Sequence, residues 1–161
     1  MVVRTARPAD YPEIARLTVA AYEADGQLKG EHGYERVLAD VATRAEHGEM
    51  LVAEDDGLLI GSVTFVLPGS RYAELSVDGE AEFRMLAVDP AAQRRGAARA
   101  LVQACLDRAA ALGRTAMVIS VRDMAEGARR LYEEFGFVRW PEGDWSPLPG
   151  VQLLALRMPL S

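Results

Sequence analysis

The chain has one cysteine, Cys105, so no disulfide can form within it. Cys105 falls with Leu101, Val102 and Ala109 on the inner face of a helical stretch, where a cysteine packs as a small hydrophobe rather than acting as a nucleophile. Histidines number two, His32 and His47. Both lie in or beside polar stretches without triad or metal-ligand spacing, so a solvated role is expected and no metal site is read. Long apolar runs are missing too. The longest, Leu58 to Leu67, is broken by Gly61, Ser62 and Thr64 and falls short of the roughly 20 residues that a membrane helix needs. The first residues, Met1-Val-Val-Arg-Thr-Ala-Arg7, lack a secretory pattern, which makes the cytoplasm the expected location. Positive charge is in deficit, with a net charge of −6, which disfavours a general nucleic-acid binder. No Lys-Ser or Lys-Thr follows the glycine of the central turn and no full dinucleotide fingerprint occurs, which disfavours an unrelated nucleotide-binding α/β unit. Repeats, linkers and low-complexity segments are absent, so residues 1–161 are expected to form one domain.

The rest is ordinary in amount and telling in order. Half the residues are hydrophobic, enough for a real core in a chain of 161. Val2 to Arg4 reads as an edge strand, and a helix follows Pro8-Ala-Asp10 with Ile14, Leu17, Thr18 and Ala21 on one face. Residues Glu23 to Gly33 read as loop. A second helix is expected from Tyr34 to His47, with Val37, Leu38 and Val41 inward. Met50–Glu54 and Leu58–Leu67 flank Asp55-Asp56-Gly57, which is hairpin chemistry. A loop from Pro68 to about Gly79 leads to a strand over Ala81–Val88, stopped by Pro90.

A helix then runs from near Arg95 to about Leu112, and Thr115–Val121 reads as a parallel strand closing a βαβ unit. Asp123 with Glu126 looks like a capping box for a helix ending at Gly136. Phe137–Trp140 reads as a short strand, Pro141–Gly150 as loop and Val151–Met158 as a last strand. Trp140 and Trp145 are placed to line a pocket or a dimer contact.

The turn Gln93-Arg-Arg-Gly-Ala-Ala98 lies between strand and helix, and its last three residues have almost no side chain. A ligand can approach such backbone closely, and the free N–H groups and dipole of a helix start attract anions. The elementary reading is a phosphate cradle. Charge is uneven around it. Seven acids against one base fall between Glu54 and Glu82, and five arginines against two acids between Asp89 and Arg114. This suits a cation on one segment and an anion on the next, or describes solvated surfaces.

Gln93-x-x-Gly96-x-Ala98, after a strand and opening a helix, resembles the acyl-CoA signature of the GNAT superfamily of N-acyltransferases. Ala128-Arg-Arg-Leu-Tyr132-Glu-Glu-Phe-Gly136-Phe137 is similar to that family's second motif, and the order and spacing of the two also fit. The resemblance covers about Glu82 to Trp140 closely and the rest by element order. It implies an α/β (α+β) fold with a central mixed, mostly antiparallel sheet and helices on both faces. It implies acetyl-CoA as cofactor, held by backbone groups of Leu86, Ala87 and Val88 and, at the pyrophosphate, by Arg94, Arg95, Gly96, Ala97, Ala98 and Arg99. One departure is visible: the family often has Asn where this chain has Ala125, so Ser120 or Arg122 must supply that contact or it is absent.

The implied activity is N-acetylation of a primary amine on a small molecule or protein, directly within a ternary complex. A backbone N–H near Leu86 would stabilise the oxyanion, and Tyr132 would protonate the leaving thiolate, a phenol at ~10 facing a thiol at ~8.5. Glu82 is the expected base, with Glu80, Glu74 or water as rivals. Tyr22 to Tyr34 is the candidate acceptor-specificity region. Relatives often dimerise through C-terminal strands, so a homodimer is an open expectation. The alternative from another class is a non-catalytic acyl-CoA sensor.

Overall fold

The structure is a computed structural model and describes residues 1–28 and 33–160. His32 and part of the expected 23–33 loop lie outside the described residues. Among the described residues the chain builds one eight-stranded sheet. The strands are β1 (Val2–Thr5), β2 (Glu49–Asp55), β3 (Leu58–Val66), β4 (Ala81–Val88), β5 (Ala116–Arg122), β6 (Val138–Arg139), β7 (Trp145–Leu148) and β8 (Val151–Pro159). Their order is β1-β2-β3-β4-β5-β8-β6, with β7 also on β8. Every pairing is antiparallel except β4 with β5. The helices are α1 (Tyr11–Ala24), α2 (Tyr34–Ala39), α3 (Val41–His47), α4 (Ala97–Ala111) and α5 (Glu126–Phe135). None of the described helices is long and apolar enough to cross a membrane.

Alternation along β2 shows that both faces of the sheet are covered. Met50 and Val52 pack with Ile14 of α1 and Val41 of α3. Leu51 and Ala53 belong to the larger cluster with Leu101, Val102, Cys105 and Ala109 of α4. Ile14, Leu17, Thr18 and Ala21 form the buried face of α1, as its period requires. At the β2–β3 turn, Asp56 and Gly57 have φ of 51° and 79°, the pair of positive values that a two-residue turn matching strand twist needs.

Arg4 ties the edge of the sheet to the entry of α1. It donates to Asp10 at 2.8 and 3.1 Å and to Glu54 at 3.2 Å. Its guanidinium, with the Arg7 amide, holds the Asp10 carboxyl down at about 2. A carboxylate depressed in the folded state adds stability that is complete above its unfolded value near ~4 and is lost as pH falls through about 2. Arg4→Met is therefore expected to flatten the acid limb of the stability curve between those values, measured by urea titration across pH.

Three expectations are corrected. The 34–47 helix is two helices. Asp40, with φ −85° and ψ 71°, ends α2 and caps α3 by accepting from the Thr43 amide and hydroxyl. Leu38 and Val41 are buried, whereas Val37 is exposed. The break is stitched by Arg44, which is 1% exposed and donates to the carbonyls of Val37 and Leu38 at 3.4 and 2.9 Å. Both are last-turn carbonyls of α2; that of Val37 also accepts from the Asp40 amide at 3.3 Å. Arg44→Ala is expected to cost about 2–4 kcal/mol in chemical denaturation, because it strips a buried polar anchor and leaves a cavity.

The capping box at Asp123 does not form. The Asp123 amide is still bonded to Gln152 of β8, the turn closes from Ala125 to Arg122, and α5 starts at Glu126 without a side-chain cap. The 141–150 segment is not all loop. It makes a short 3-10 turn, then β7, because Asp144 holds the Ala155 amide at 2.8 Å and brings the segment onto β8.

Candidate functional site

The sheet opens where β4 meets β5. The two pair only at Ala81–Met117 and Glu82–Val118. Beyond that they part, and part of the cause lies in β4. From Ser62 to Thr64 on β3 the partner register runs from Ala87 to Arg84, so β4 carries an extra residue. Such a bulge bends its strand. Within it, Met85 has φ 56°, a left-handed conformation that a non-glycine residue rarely adopts. Its sulfur lies 3.0 Å from the Arg44 guanidinium.

A cavity of about 680 Å³ fills the gap. Phe83 to Val88 line one wall and Ile119 to Arg122 the other. Having left each other, the two strands leave ladder positions along the gap to which an extended ligand can add as a strand does. At one end are Gln93 and Ala98, on either side of the strand-to-helix turn. At the other are Tyr22, Tyr34, Glu74 and Arg84. Tyr132, Ala125, Ala128 and Leu131 close the α5 side.

The turn has the backbone that an anion cradle requires. Arg94 has φ 66° and Gly96 φ 82°. No side chain caps the first turn of α4, and nothing lies within 4 Å of where a Cβ on Gly96 would point. The N-terminus of a 15-residue helix is thus open to a ligand. The group fits a diphosphate. Of the expected cofactor residues, Leu86, Ala87, Val88 and Ala98 line the cavity. Arg94, Arg95, Gly96, Ala97 and Arg99 do not. Arg94, Arg95 and Gly96 are exposed in the turn and Ala97 is buried beneath it. Arg95 faces Asp55 at 3.6 Å, and Arg99 pairs with Glu134 beside the Phe135 ring.

Tyr132 lines the cavity and is 6% exposed. Its ring sits edge-on to Phe83 and Phe137, with centroids 5.7 and 5.9 Å away, so its position is set by packing. Burial, with nearby Cys105 adding to it, pushes the phenol well above its ordinary range. Tyr22 is pushed up too, first by burial and then by Tyr34, whose ring lies 6.1 Å away. Cys105 itself is fully buried in the core and is not among the residues lining the cavity. Ser120 and Arg122, the named substitutes for the missing Asn, both line it, as does Ala125. Ser120 accepts from Trp145 at 3.4 Å, and Arg122 donates to the Gln27 carbonyl at 3.0 Å.

The three acidic candidates are separated. Glu82 is fully buried and is not among the lining residues; its carboxylate is taken up by amides of the 74–76 loop. Glu80 pairs with Arg157 at 2.6 Å and accepts from the Val77 amide. Glu74 lines the cavity, paired with Arg84 at 3.2 Å. Four of the seven acids from Glu54 to Glu82 pair with arginines of the same chain: Glu54 with Arg4, Asp55 with Arg95, Glu74 with Arg84 and Glu80 with Arg157. Arg84 was not singled out by sequence. Its signal was the alternation of Glu82 and Arg84, two charges on one face of an otherwise apolar strand.

Comparison with known proteins agrees with this geometry. Among curated proteins none matches the chain. Among solved structures, a GNAT-family acetyltransferase from Staphylococcus aureus Mu50 superposes with TM-score 0.78 at 12% identity, covering 99% of both chains. The ribosomal-protein-S18-alanine N-acetyltransferase of Escherichia coli gives 0.72 at 20% identity, covering 99% of this chain and 94% of that one. A Salmonella typhimurium protein solved with its cofactor acetyl-CoA gives 0.69 at 23% identity, covering 100% and 94%. These likenesses show the fold. The model of the acetyltransferase (GNAT) family matches residues 11–137, the span that holds the open sheet, the α4 turn and Tyr132. The chain therefore belongs to the GNAT acetyltransferase family, whose acyl donor is acetyl-CoA.

Proposed function

We propose that the chain transfers an acetyl group from acetyl-CoA directly to a primary amine of a small molecule or a protein, with both substrates bound together. The observation that carries this reading is the continuous cavity. It joins the α4 turn to the Tyr22–Tyr34 end through the gap between β4 and β5, so donor and acceptor meet in one space. Direct transfer is favoured because the only cysteine is buried away from that space. A primary amine is also what the S18-alanine relative's name implies for that protein.

When bound, acetyl-CoA supplies an activated thioester and a thiolate leaving group. Amides at the start of α4, with Arg94, Arg95, Gly96, Ala97, Ala98 and Arg99 around them, hold the diphosphate. Leu86, Ala87 and Val88 line the cavity, where their backbone groups would orient the arm and an N–H near Leu86 would stabilise the oxygen on which negative charge develops. Tyr132, kept protonated by its burial, donates its proton to the departing sulfur and regains one from the amine through solvent. An ammonium acceptor sheds two protons on becoming an amide. One ends on the thiol and the other leaves to water, with Glu74 the one of the three acidic candidates that faces the acceptor end. Tyr22 and Tyr34 shape that end.

The test is incubation with acetyl-CoA and a panel of primary amines, following thiol release and a product heavier by one acetyl group. Tight CoA binding without thiol release for any amine would instead favour the acyl-CoA sensor.

A further inference from the structure

Glu82 is a buried carboxylate with five hydrogen bonds and no basic side chain among them. Oε1 accepts from the amides of Glu74, Leu75 and Ser76 at 3.1, 3.1 and 3.0 Å and from the Ser76 hydroxyl at 2.9 Å. Oε2 accepts from the Glu74 amide at 3.0 Å. Three successive amides turned onto one anion form a backbone nest, and bonds to a charged acceptor are the strong ones. The carboxylate is fully buried under the loop and is not among the residues lining the cavity, which sets it apart from an acceptor bound there.

The outer side of the same loop segment faces the cavity. There Glu74 pairs with Arg84 at 3.2 Å, and Arg84 also donates to the Tyr72 carbonyl at 3.2 Å and the Tyr34 hydroxyl at 3.4 Å. Residues 82 and 84 lie on one face of β4. One strand thus grips the loop from within through Glu82 and meets its side chain through Arg84.

We infer that Glu82 is a positioning residue that sets the acceptor wall, and that it does not take the amine's proton. Its carboxylate folds the 74–76 amides inward, which turns Glu74 toward Arg84 and Tyr34 and fixes the charged end of the cavity. The inference rests on the acetyltransferase reading for its kinetic consequence. Its structural consequence stands apart from it.

The experiment compares wild type with Glu82→Gln, Ser76→Ala and Glu74→Gln, each with acetyl-CoA. Butylamine, benzylamine and spermidine serve as acceptor probes. In Glu82→Gln the negative charge that the nest holds is lost and the amide nitrogen, in the place of Oε2, meets the Glu74 N–H, so hydrogen exchange of the 74–76 amides should speed up by about tenfold or more. KM for the best amine should rise by about tenfold or more, with CoA affinity and the pH profile of kcat unchanged. Ser76→Ala removes one of the five bonds and should move both readouts the same way by less, which guards against a Glu82 variant that fails to fold. Glu74→Gln should raise KM while the loop amides stay protected.

The opposite pattern would assign Glu82 as the base: kcat abolished, the acid limb of its pH profile gone, and loop protection intact. Wild-type exchange in both Glu82→Gln and Ser76→Ala would overturn the inference outright. If no amine is turned over by wild type, the acetyltransferase reading fails, while the exchange data still decide whether Glu82 holds the loop.

Discussion

Tyr132→Phe is expected to lower kcat by about a hundredfold to a thousandfold while leaving CoA affinity and thermal stability at wild-type values. The substitution removes one oxygen and keeps the ring. The edge-on contacts with Phe83 and Phe137 that hold the side chain in place are contacts of the ring and survive. On the proposed mechanism the hydroxyl that is lost is the one that protonates the leaving thiolate. Burial holds the wild-type phenol above its ordinary range, so its ionisation should not limit the rate until pH is well above ~10. Steady-state kinetics with the best amine, beside calorimetric titration of CoA, measures both arms. An unchanged kcat would reduce Tyr132 to a packing residue of the α5 wall.

Ala98→Glu is expected to weaken CoA binding by about a hundredfold, equivalent to about 2.7 kcal/mol, without loss of stability. Ala98 is half-buried in the first turn of α4 and lines the cavity. In the proposed cradle a carboxylate there would meet the diphosphate as a like charge and compete for the same amides. In the free protein the new charge lies at the positive end of the helix dipole, which favours it by about 0.3–1 kcal/mol. The two effects have opposite signs, so a melting temperature held or raised together with weakened CoA binding separates a blocked cradle from a damaged fold. Retained affinity would place the diphosphate elsewhere.

Much of the architecture was legible along the chain because it rests on local physics. The inner face of α1 follows from helical period, the β2–β3 hairpin from Asp56-Gly57, and the α4 turn from small residues after Pro90. Errors arose where a local signal had two outcomes. Asp40 sits between apolar residues at helical spacing, yet its side chain is a better cap than a helix interior residue, and Arg44 could be read as an anchor only once the α2 carbonyls were placed. Asp123 with Glu126 has the spacing of a capping box, but the pull of β8 on the Asp123 amide is invisible in sequence. The 141–150 segment contains three prolines and two glycines, a loop-like composition, and it pairs because its partner β8 lies beside it.

From residues alone came the strand, turn and helix around Gln93–Ala98, the aromatic helix bearing Tyr132, and the helix polarity at the junction, since backbone conformation and helix polarity depend on near neighbours. Tertiary structure alone decided where β4 and β5 separate, and which carboxylate looks into the space between them. Alternation told that Glu82 and Arg84 share a face of β4, but it carries no information about what folds against that face. The 68–80 loop returns over it, covers Glu82 with its own amides, and leaves Glu74 facing the cavity.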